Sequence, residues 1–289
     1  MHPIQESNIA AFRADLHCHS FCSDGSNSPI ELVDLALEKG LQGLSITDHD
    51  TIEAYQTAVP YAKEKGLLLG MGVEFSCTHK KESVHVLAYD FQLDHPDFLV
   101  YCKRQQDKRA LRNLMILEKL RRLSLVIEES EILLHSPKSK VFGRPHIALV
   151  MVNKGYVRTI QEAFQLYLGD RKCCFVPGAT FPVLEAVAVI HKAGGKVFLA
   201  HPHFYREGDF VKELLLLGFD GIECYYGRSL PYKQERWLET ARNRGLLVSG
   251  GSDFHGVAKP HLELGCSYVS FDLFSMIFTS LVRLDGQKG

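Results

Sequence analysis

The sequence contains no apolar run that approaches the roughly 20 residues needed by a membrane-spanning helix. Residues 1–12 also lack the basic-then-apolar order of a secretory signal. Neither sign of charge dominates, because 33 Lys and Arg nearly cancel 34 Asp and Glu, so no global feature indicates a nucleic-acid or membrane partner. We therefore expect a cytoplasmic protein with no membrane association, and we infer no obligate protein partner.

Several short motifs that define enzyme classes are absent as well. The chain has no Gly-x-Gly-x-x-Gly run and no Walker loop, so a nucleotide cofactor is not expected. It has no Gly-x-Ser-x-Gly run. Cys173 and Cys174 are adjacent rather than spaced as Cys-x-x-Cys, which argues against a zinc ribbon or a thioredoxin-type pair.

Apolar runs with the length of buried strands occur in both halves of the chain, and helical patterns separate most of them. Such alternation predicts a parallel α/β sheet, either open or closed into a barrel. The predicted strands are 12–16, 43–47, 67–73, 83–88, 196–200, 221–225 and 246–249.

The middle of the chain has no buried-strand signal. One long helix is predicted from about residue 96 to 125, with Leu111, Leu114, Met115 and Leu117 on an apolar stripe. Residues 103–122 carry eight Lys or Arg, which indicates either a solvated helix face, the more common case, or a surface for an anionic substrate. We predict a helical insert over 93–180, between residues 12–92 and 181–270 of one barrel domain.

Fourteen His are present, and many lie where apolar strands end, together with acidic residues. Because the carboxyl ends of strands converge on one face of an α/β fold, these side chains are expected to meet. Imidazoles mixed with carboxylates suit Mn²⁺, Zn²⁺ or Fe²⁺, so the pattern predicts a metal site. The strand-end residues are His17, His19, Asp48, His49, Glu74, His201, His203, Glu223, Asp253 and His255.

The same segments resemble a known family, the PHP (polymerase and histidinol phosphatase) superfamily. The resemblance spans nearly the whole chain, in the order of the family's motifs. It implies a distorted (β/α)₇ barrel that holds up to three metal ions. The segments are Asp15-Leu16-His17-Cys18-His19-Ser20, Ser23-Asp24-Gly25, Thr47-Asp48-His49-Asp50, Gly72-Val73-Glu74, Ala200-His201-Pro202-His203 and Gly251-Ser252-Asp253-Phe254-His255.

The resemblance also implies ligands for each ion. Asp24 stands where many relatives carry His, so we expect two or three ions per chain, Mn²⁺ first, with Zn²⁺ or Fe²⁺ as alternatives. Asp15 and Asp48 are expected to orient imidazoles. The implied sets are His17, His19, Glu74 and Asp253 for the first ion, Glu74, His85 and His201 for the second, and Asp24, His49 and His255 for the third.

The run Gly143-Arg144-Pro145-His146 and the position of the insert resemble a narrower branch of this family. That branch contains nucleoside 3′,5′-bisphosphate phosphatases and 5′→3′ exoribonucleases. The likeness implies a nucleotide or short RNA substrate, whose phosphate Arg144 would grip bidentately, with His146 and His203 beside it. Glu74 would hold a nucleophilic water or hydroxide between the ions.

Three other functions remain open at this point. A histidinol-phosphate-type phosphomonoesterase would use the same metals with a different pocket. A non-catalytic PHP module would show degenerate ligands, whereas this sequence shows only the His-to-Asp change at position 24. An amidohydrolase-type barrel usually adds a metal-bridging Lys after a middle strand, and no Lys occupies such a position.

Overall fold

The computed structural model describes residues 12–135, 141–177, 181–205 and 209–281. The strands are β1 (Ala14–Cys18), β2 (Gly43–Ile46), β3 (Leu68–His79), β4 (Glu82–Tyr89), β5 (Lys196–Leu199), β6 (Gly221–Tyr226) and β7 (Leu247–Gly251). The α-helices are α1 (Pro29–Glu38), α2 (Tyr55–Lys65), α3 (Pro96–Arg122), α4 (Glu129–His135), α5 (Arg144–Asn153), α6 (Ile160–Ala163), α7 (Val183–Lys192), α8 (Asp209–Leu214), α9 (Pro231–Arg244) and α10 (Phe271–Ile277). Within the described ranges, no helix is long and apolar enough to cross a bilayer.

The strands follow one another in chain order within a single seven-stranded sheet. The expected parallel pairing holds except at β4, which runs antiparallel to both β3 and β5. The reason lies in the link between β3 and β4, which is only Lys80 and Lys81, both with positive φ (48° and 68°). A two-residue turn of this kind forms a hairpin, and a hairpin pairs its strands antiparallel.

The last strand returns to the first and nearly closes the sheet. Asp253 N donates to His17 O at 2.7 Å, and His19 N donates to Phe254 O at 2.9 Å. Gly251 permits this approach, because a Cβ at that position would lie 2.3 Å from His17 N. The expected distorted (β/α)₇ barrel is confirmed.

One end of the barrel is covered by α10. Ala14, at the start of β1, exchanges backbone hydrogen bonds with Val269, and Phe274 and Phe278 belong to a buried cluster with strand residues. The ring of Phe274 also packs beside Gly43, the first residue of β2. Apolar side chains therefore pack against the beginnings of the strands, so a functional site is expected at their carboxyl ends.

The segment between β4 and β5 contains α3 to α7. Part of it has its own buried cluster, which includes Ile116, Ile147 and Val176. The first half of α3 packs differently, because Phe98 and Tyr101 belong to the core around β3 and β4. A sharp boundary at residue 93 is thus not evident in the packing, and the division into 12–92, 181–270 and 93–180 stays a prediction.

The expected apolar stripe on α3 is wrong for three of its four residues. Leu111, Leu114 and Met115 are about half exposed, and only Leu117 is buried. The buried positions in this part of the helix are instead Asn113, Ile116, Leu117 and Leu120.

Candidate metal centre

The nine side chains predicted to bind metal meet at the carboxyl ends of the strands. Most of them are buried; Asp24, His85 and His201 are partly exposed. Three groups of them bring one ligand atom each within 4.8 Å of one another. These groups are His19, Asp24, His49 and His255; His17, His19 and Asp253; and His49, Glu74 and His85.

Glu74 lies at the centre of the cluster, at the point where β3 passes the end of β2. Its Oε1 atom is 2.7 Å from His85 Nδ1 and 2.9 Å from His201 Nε2. Its Oε2 atom is 3.3 Å from His17 Nε2 and 3.2 Å from His19 Nε2. The two oxygens of one carboxylate therefore face the first and second predicted ligand sets, as a bridging ligand must.

Carboxylates on either side complete the other sets. Asp253 Oδ1 lies 3.5 Å from His17 Nε2 and 3.4 Å from His19 Nε2. Asp24 Oδ1 lies 3.3 Å from His255 Nε2, and Asp24 Oδ2 lies 3.7 Å from His49 Nε2. Asp24 thus stands in the third set, where it meets both predicted imidazole partners.

The donor set fits divalent ions. His17 Nε2 and His19 Nε2 face each other at 3.2 Å, and bonds of about 2.1 Å to one ion place tetrahedral ligand atoms about 3.4 Å apart. Among the described residues, Asp24 Oδ1 and His49 Nδ1 are buried without a hydrogen-bond partner. Buried polar atoms normally have partners, so these two atoms are available to cations: Asp24 Oδ1 faces His255 Nε2, and His49 Nδ1 faces Glu74 Oε2, each at 3.3 Å.

The electrostatics of the cluster also fit a bound cation. Burial opposes ionisation of Glu74, yet His85, His49 and His17 hold the pKa of this carboxyl well below its usual value. Burial would likewise lower the pKa of His17, but Glu223, Glu74 and other carboxylates raise it well above 6.5. At His17 the carboxylates thus favour a positive charge, which a divalent ion supplies in place of the proton when it binds.

A second layer of side chains holds the ligands in place. Glu223 Oε1 lies 2.8 Å from His17 Nδ1, so this strand-end acid supports a predicted ligand. Asp15 and Asp48, the two acids expected to orient imidazoles, contact other groups instead. Asp15 accepts from the backbone N–H of His17, Ser252 and Gly265, and Asp48 accepts from the N–H and hydroxyl of Ser20 and the hydroxyl of Ser23.

Two residues that sequence reasoning missed also touch a ligand. Tyr226 Oη and Lys259 Nζ both donate to Asp253 Oδ2 at 2.6 Å, which leaves Oδ1 toward the imidazoles. Asp253 itself has a left-handed backbone with φ of 53°, as His201 has with φ of 29°. Residues other than glycine adopt such conformations at a cost in free energy, and here they aim both predicted ligands into the cluster.

A cavity of about 910 Å³ opens beside the cluster. Asp24, His49, His85 and His255 form part of its wall, and Arg144 lines the same cavity. Arg144 lies between the rings of Phe164 and Phe175, and its Nη1 atom donates to Leu168 O and Asp170 Oδ1.

The other two predicted phosphate residues lie elsewhere. His146 is buried at the start of α5, where its Nδ1 atom accepts from Gly143 N, and His203 stacks on Tyr226. Neither belongs to the cavity lining that the structure describes. Their roles at a substrate phosphate stay predictions.

Two further arginines of α3 reach the cavity, although the basic stretch favoured a solvated face. Arg109 donates to Asp50 Oδ2 and to Ser76 Oγ, and Arg112 donates from Nε to Val176 O. Their spacing of three residues, which places both on one helix face, was the available signal.

The family model for the PHP domain matches residues 15–163, which carry the motifs from Asp15 to Glu74 and the Gly143-Arg144 pair. The chain belongs to the PHP domain family. A 5′-3′ exoribonuclease of Haemophilus influenzae is 34% identical to this PHP protein over 251 residues, which cover 83% of this chain and 89% of the relative. A 3′,5′-nucleoside bisphosphate phosphatase of Chromobacterium violaceum is 28% identical, with 87% and 90% covered.

A solved structure shows the same fold. The crystal structure of a Bifidobacterium adolescentis protein, named for a metal-dependent phosphoesterase activity, superposes with a TM-score of 0.83 at 29% identity. The match covers 92% of this chain and 95% of the other. The similarity therefore includes the barrel and the helices between β4 and β5.

Proposed function

We propose that this PHP protein hydrolyses the bond between phosphorus and the 3′-oxygen of a 5′-phosphorylated nucleoside. Its substrates are nucleoside 3′,5′-bisphosphates and short 5′-phosphorylated RNA, the latter degraded in the 5′→3′ direction. Removal of a 3′-phosphate and release of a 5′-terminal mononucleotide both add water across this same bond. One site can therefore catalyse both reactions, and the names of the two relatives support this substrate class.

The observation that carries the proposal is the shared wall between the ligand cluster and an arginine-lined cavity. Asp24, His49 and His255 face the same space as Arg109, Arg112 and Arg144. Metal ligands and arginines side by side suit a substrate with more than one phosphate. Apolar residues also line this space, and aromatic rings stack on nucleobases. These residues include Ile160, Phe164, Phe175, Val257 and Pro260.

The proposed centre uses two or three divalent ions, with Mn²⁺ preferred and Zn²⁺ or Fe²⁺ as alternatives. When bound, such ions lower the pKa of water and neutralise charge on the phosphoryl oxygens. Glu74 would hold two of the ligand sets together. Arg144, fixed by two rings and a carboxylate, would orient a substrate phosphate through its remaining N–H groups.

The alternatives account for less of the structure. A non-catalytic module has no need for nine converging ligands that leave buried atoms without hydrogen-bond partners. A histidinol-phosphate-type phosphomonoesterase has one substrate phosphate, whereas this cavity presents three arginines in addition to the ligand cluster.

Product analysis tests the proposal. A 5′-phosphorylated oligoribonucleotide labelled at its 3′ end is incubated with the protein and Mn²⁺, and fragments are sized over time. We expect nucleoside 5′-monophosphates to appear first, while the labelled remainder shortens from its 5′ end. Adenosine 3′,5′-bisphosphate should release inorganic phosphate faster than histidinol phosphate does.

Two matched variants separate this activity from contamination. Glu74→Gln removes a charge from the ligand cluster and should abolish turnover, whereas Glu64→Gln changes an exposed residue and should not. A preference for histidinol phosphate, or fragments that shorten from the 3′ end, would overturn the proposed function.

A further inference from the structure

The two most exposed aromatic rings of the described residues follow neighbouring strands of the barrel. Phe204 and Tyr232 are each 67% exposed, whereas the next aromatic side chains, Tyr268 and Phe271, are 45% exposed. Phe204 ends the short 3₁₀ helix Pro202–Phe204 after β5, and Tyr232 is the second residue of α9, which follows β6. The segment after a barrel strand begins at the carboxyl end of that strand, so both rings lie at the end that carries the ligand cluster.

Contacts with two neighbouring rings fix the position of Phe204. Its ring centroid lies 5.5 Å from that of His201 and 5.1 Å from that of Tyr226. His201 belongs to the second predicted ligand set, and Tyr226 donates to Asp253 of the first. Single apolar residues are common on protein surfaces, but this one is held beside two predicted ligand sets with most of its ring in solvent.

Phe204 lies outside the arginine-lined cavity. The described lining of that cavity includes His85 but neither Phe204 nor His201. The ligand cluster therefore has the cavity as one neighbour and the exposed ring of Phe204 as another. A substrate that continues past the bond cut at the cluster can contact both.

Exposed cations accompany the two rings. Lys233 follows Tyr232 and is exposed, as is Arg228, which pairs with Glu263. Burial lowers the pKa of His203, the residue before Phe204, to about 4, and His201 and Lys233 act in the same direction, so the Lys233 ammonium lies near this loop. Proteins bind single-stranded nucleic acid where rings for the bases stand beside cations for the backbone. This combination favours RNA over an apolar protein partner.

We propose that Phe204 is a stacking platform for the first nucleobase on the 3′ side of the scissile bond, so that RNA leaves the ligand cluster over Phe204 toward the start of α9. This inference rests on the proposed function, since it assigns a place to the part of the RNA that a nucleoside 3′,5′-bisphosphate lacks. Phe204 then favours RNA over the bisphosphate, although both are cut at the same bond. Every base has a flat face, so a ring at this position accepts any sequence.

The test compares a substrate that has a second base with one that does not. Phe204→Ala should lower kcat/KM for a 5′-phosphorylated adenosine dinucleotide by about 5- to 100-fold, the usual effect of removing a ring that stacks on a base. It should leave kcat/KM for adenosine 3′,5′-bisphosphate within about twofold of wild type. Phe204→Trp keeps an aromatic face and should retain the wild-type preference for the dinucleotide.

A dinucleotide without its second base tests the stacking itself. Wild type should lose about as much kcat/KM on this abasic substrate as Phe204→Ala loses on the intact one. Phe204→Ala should lose nothing further on the abasic substrate, because the contact is already absent. Losses that simply multiply would show that the ring and the base act independently, which overturns the platform.

Leu216→Ala is the matched control, because Leu216 is 76% exposed and lies between α8 and the start of β6, away from the cluster. It should change neither substrate. Equal losses on both substrates in Phe204→Ala would show that Phe204 only supports His201, and unchanged values would show that RNA does not reach the ring. Either result overturns the inference.

A binding measurement separates this inference from the proposed function. A short oligoribonucleotide labelled at its 3′ end is titrated with EDTA-treated protein and followed by fluorescence anisotropy. We expect Phe204→Ala to bind about fivefold or more weakly than wild type and Leu216→Ala to bind equally well. If no nucleotide is hydrolysed but this loss occurs, the proposed function fails and the platform stands. If the bisphosphate is hydrolysed but RNA binding and cleavage are unchanged in Phe204→Ala, the platform fails and the proposed function stands.

Discussion

Glu223 lies beneath the ligand cluster and touches two of its members. Its Oε1 atom is 2.8 Å from His17 Nδ1, and its Oε2 atom accepts from the backbone N of His201 at 2.6 Å. With Nδ1 protonated toward Glu223, the Nε2 atom of His17 keeps its lone pair for a metal ion. One fully buried carboxylate thus fixes the orientation of one ligand and the backbone of another.

We expect Glu223→Gln to weaken Mn²⁺ binding by about 10- to 100-fold, the usual effect of losing such a partner. The amide keeps the shape of the side chain but removes the charge that holds His17. Calorimetric titration of EDTA-treated protein measures the change. Glu235→Gln, on the exposed side of α9, is the control and should bind Mn²⁺ as wild type does. Equal affinity in both variants would contradict this role.

At this scale the convergence of the cluster residues could be predicted, but the contacts that support them could not. His17 and His19 stand two apart at a strand end, and Asp253 and His255 repeat that spacing, so the local sequence shows the pattern. Lys259 gives no such signal. It lies six residues after Asp253, and only the folded loop brings its Nζ to that carboxylate.

A buried ion pair between Arg109 and Asp50 holds helix α3 against the part of the barrel that carries the ligand cluster. Arg109 donates from Nε and Nη2 to Asp50 Oδ2 at 3.0 and 2.5 Å, and Nη2 also reaches Ser76 Oγ. Asp50 Oδ1 in turn accepts from Ser76 N. Because Ser76 follows Glu74 by two residues on β3, the pair connects the helix with the strand that carries the central ligand.

Arg109→Met should lower the free energy of unfolding by about 3–5 kcal/mol, because it leaves Asp50 buried without its cation. Urea denaturation monitored by circular dichroism measures the loss. Lys108→Met is the matched control, since the neighbouring Lys108 is exposed, and it should stay within about 0.5 kcal/mol of wild type. A similar small effect in both variants would show that the pair contributes little.

The packing of α3 could not be predicted from its sequence alone. Its first half packs against the barrel through Phe98 and Tyr101, and its second half against the insert through Ile116 and Leu120. The buried positions keep one helical spacing along α3, but that stripe includes polar residues such as Gln105 and Asn113, so the apolar residues alone do not mark it. The eight basic residues also divide, with Arg109 and Arg112 in the cavity and others on the surface.

At the scale of the whole molecule, the alternation of strands and helices predicted the α/β sheet and the face that carries the site, and the resemblance to the PHP superfamily implied that the sheet closes into a barrel. The reversal of β4 was not predictable, because its turn is built from two lysines rather than from the glycine or asparagine that usually marks a hairpin. This reversal has a functional consequence. β4 carries His85 and pairs with β3 beside Glu74, which places both residues in the second ligand set.

The predicted ligands come from β1 near the start of the chain and from the segment after β7 near its end, so ions bound there would connect parts that separate on unfolding. We expect Mn²⁺ at about 100 times its Kd to raise the free energy of unfolding by about 2.7 kcal/mol per site relative to EDTA, measured by urea denaturation. His19→Ala should lose most of this gain, because His19 belongs to two ligand groups. His191→Ala, a surface residue paired with Asp220, should keep it. Equal stability of wild type with and without Mn²⁺ would contradict the metal centre.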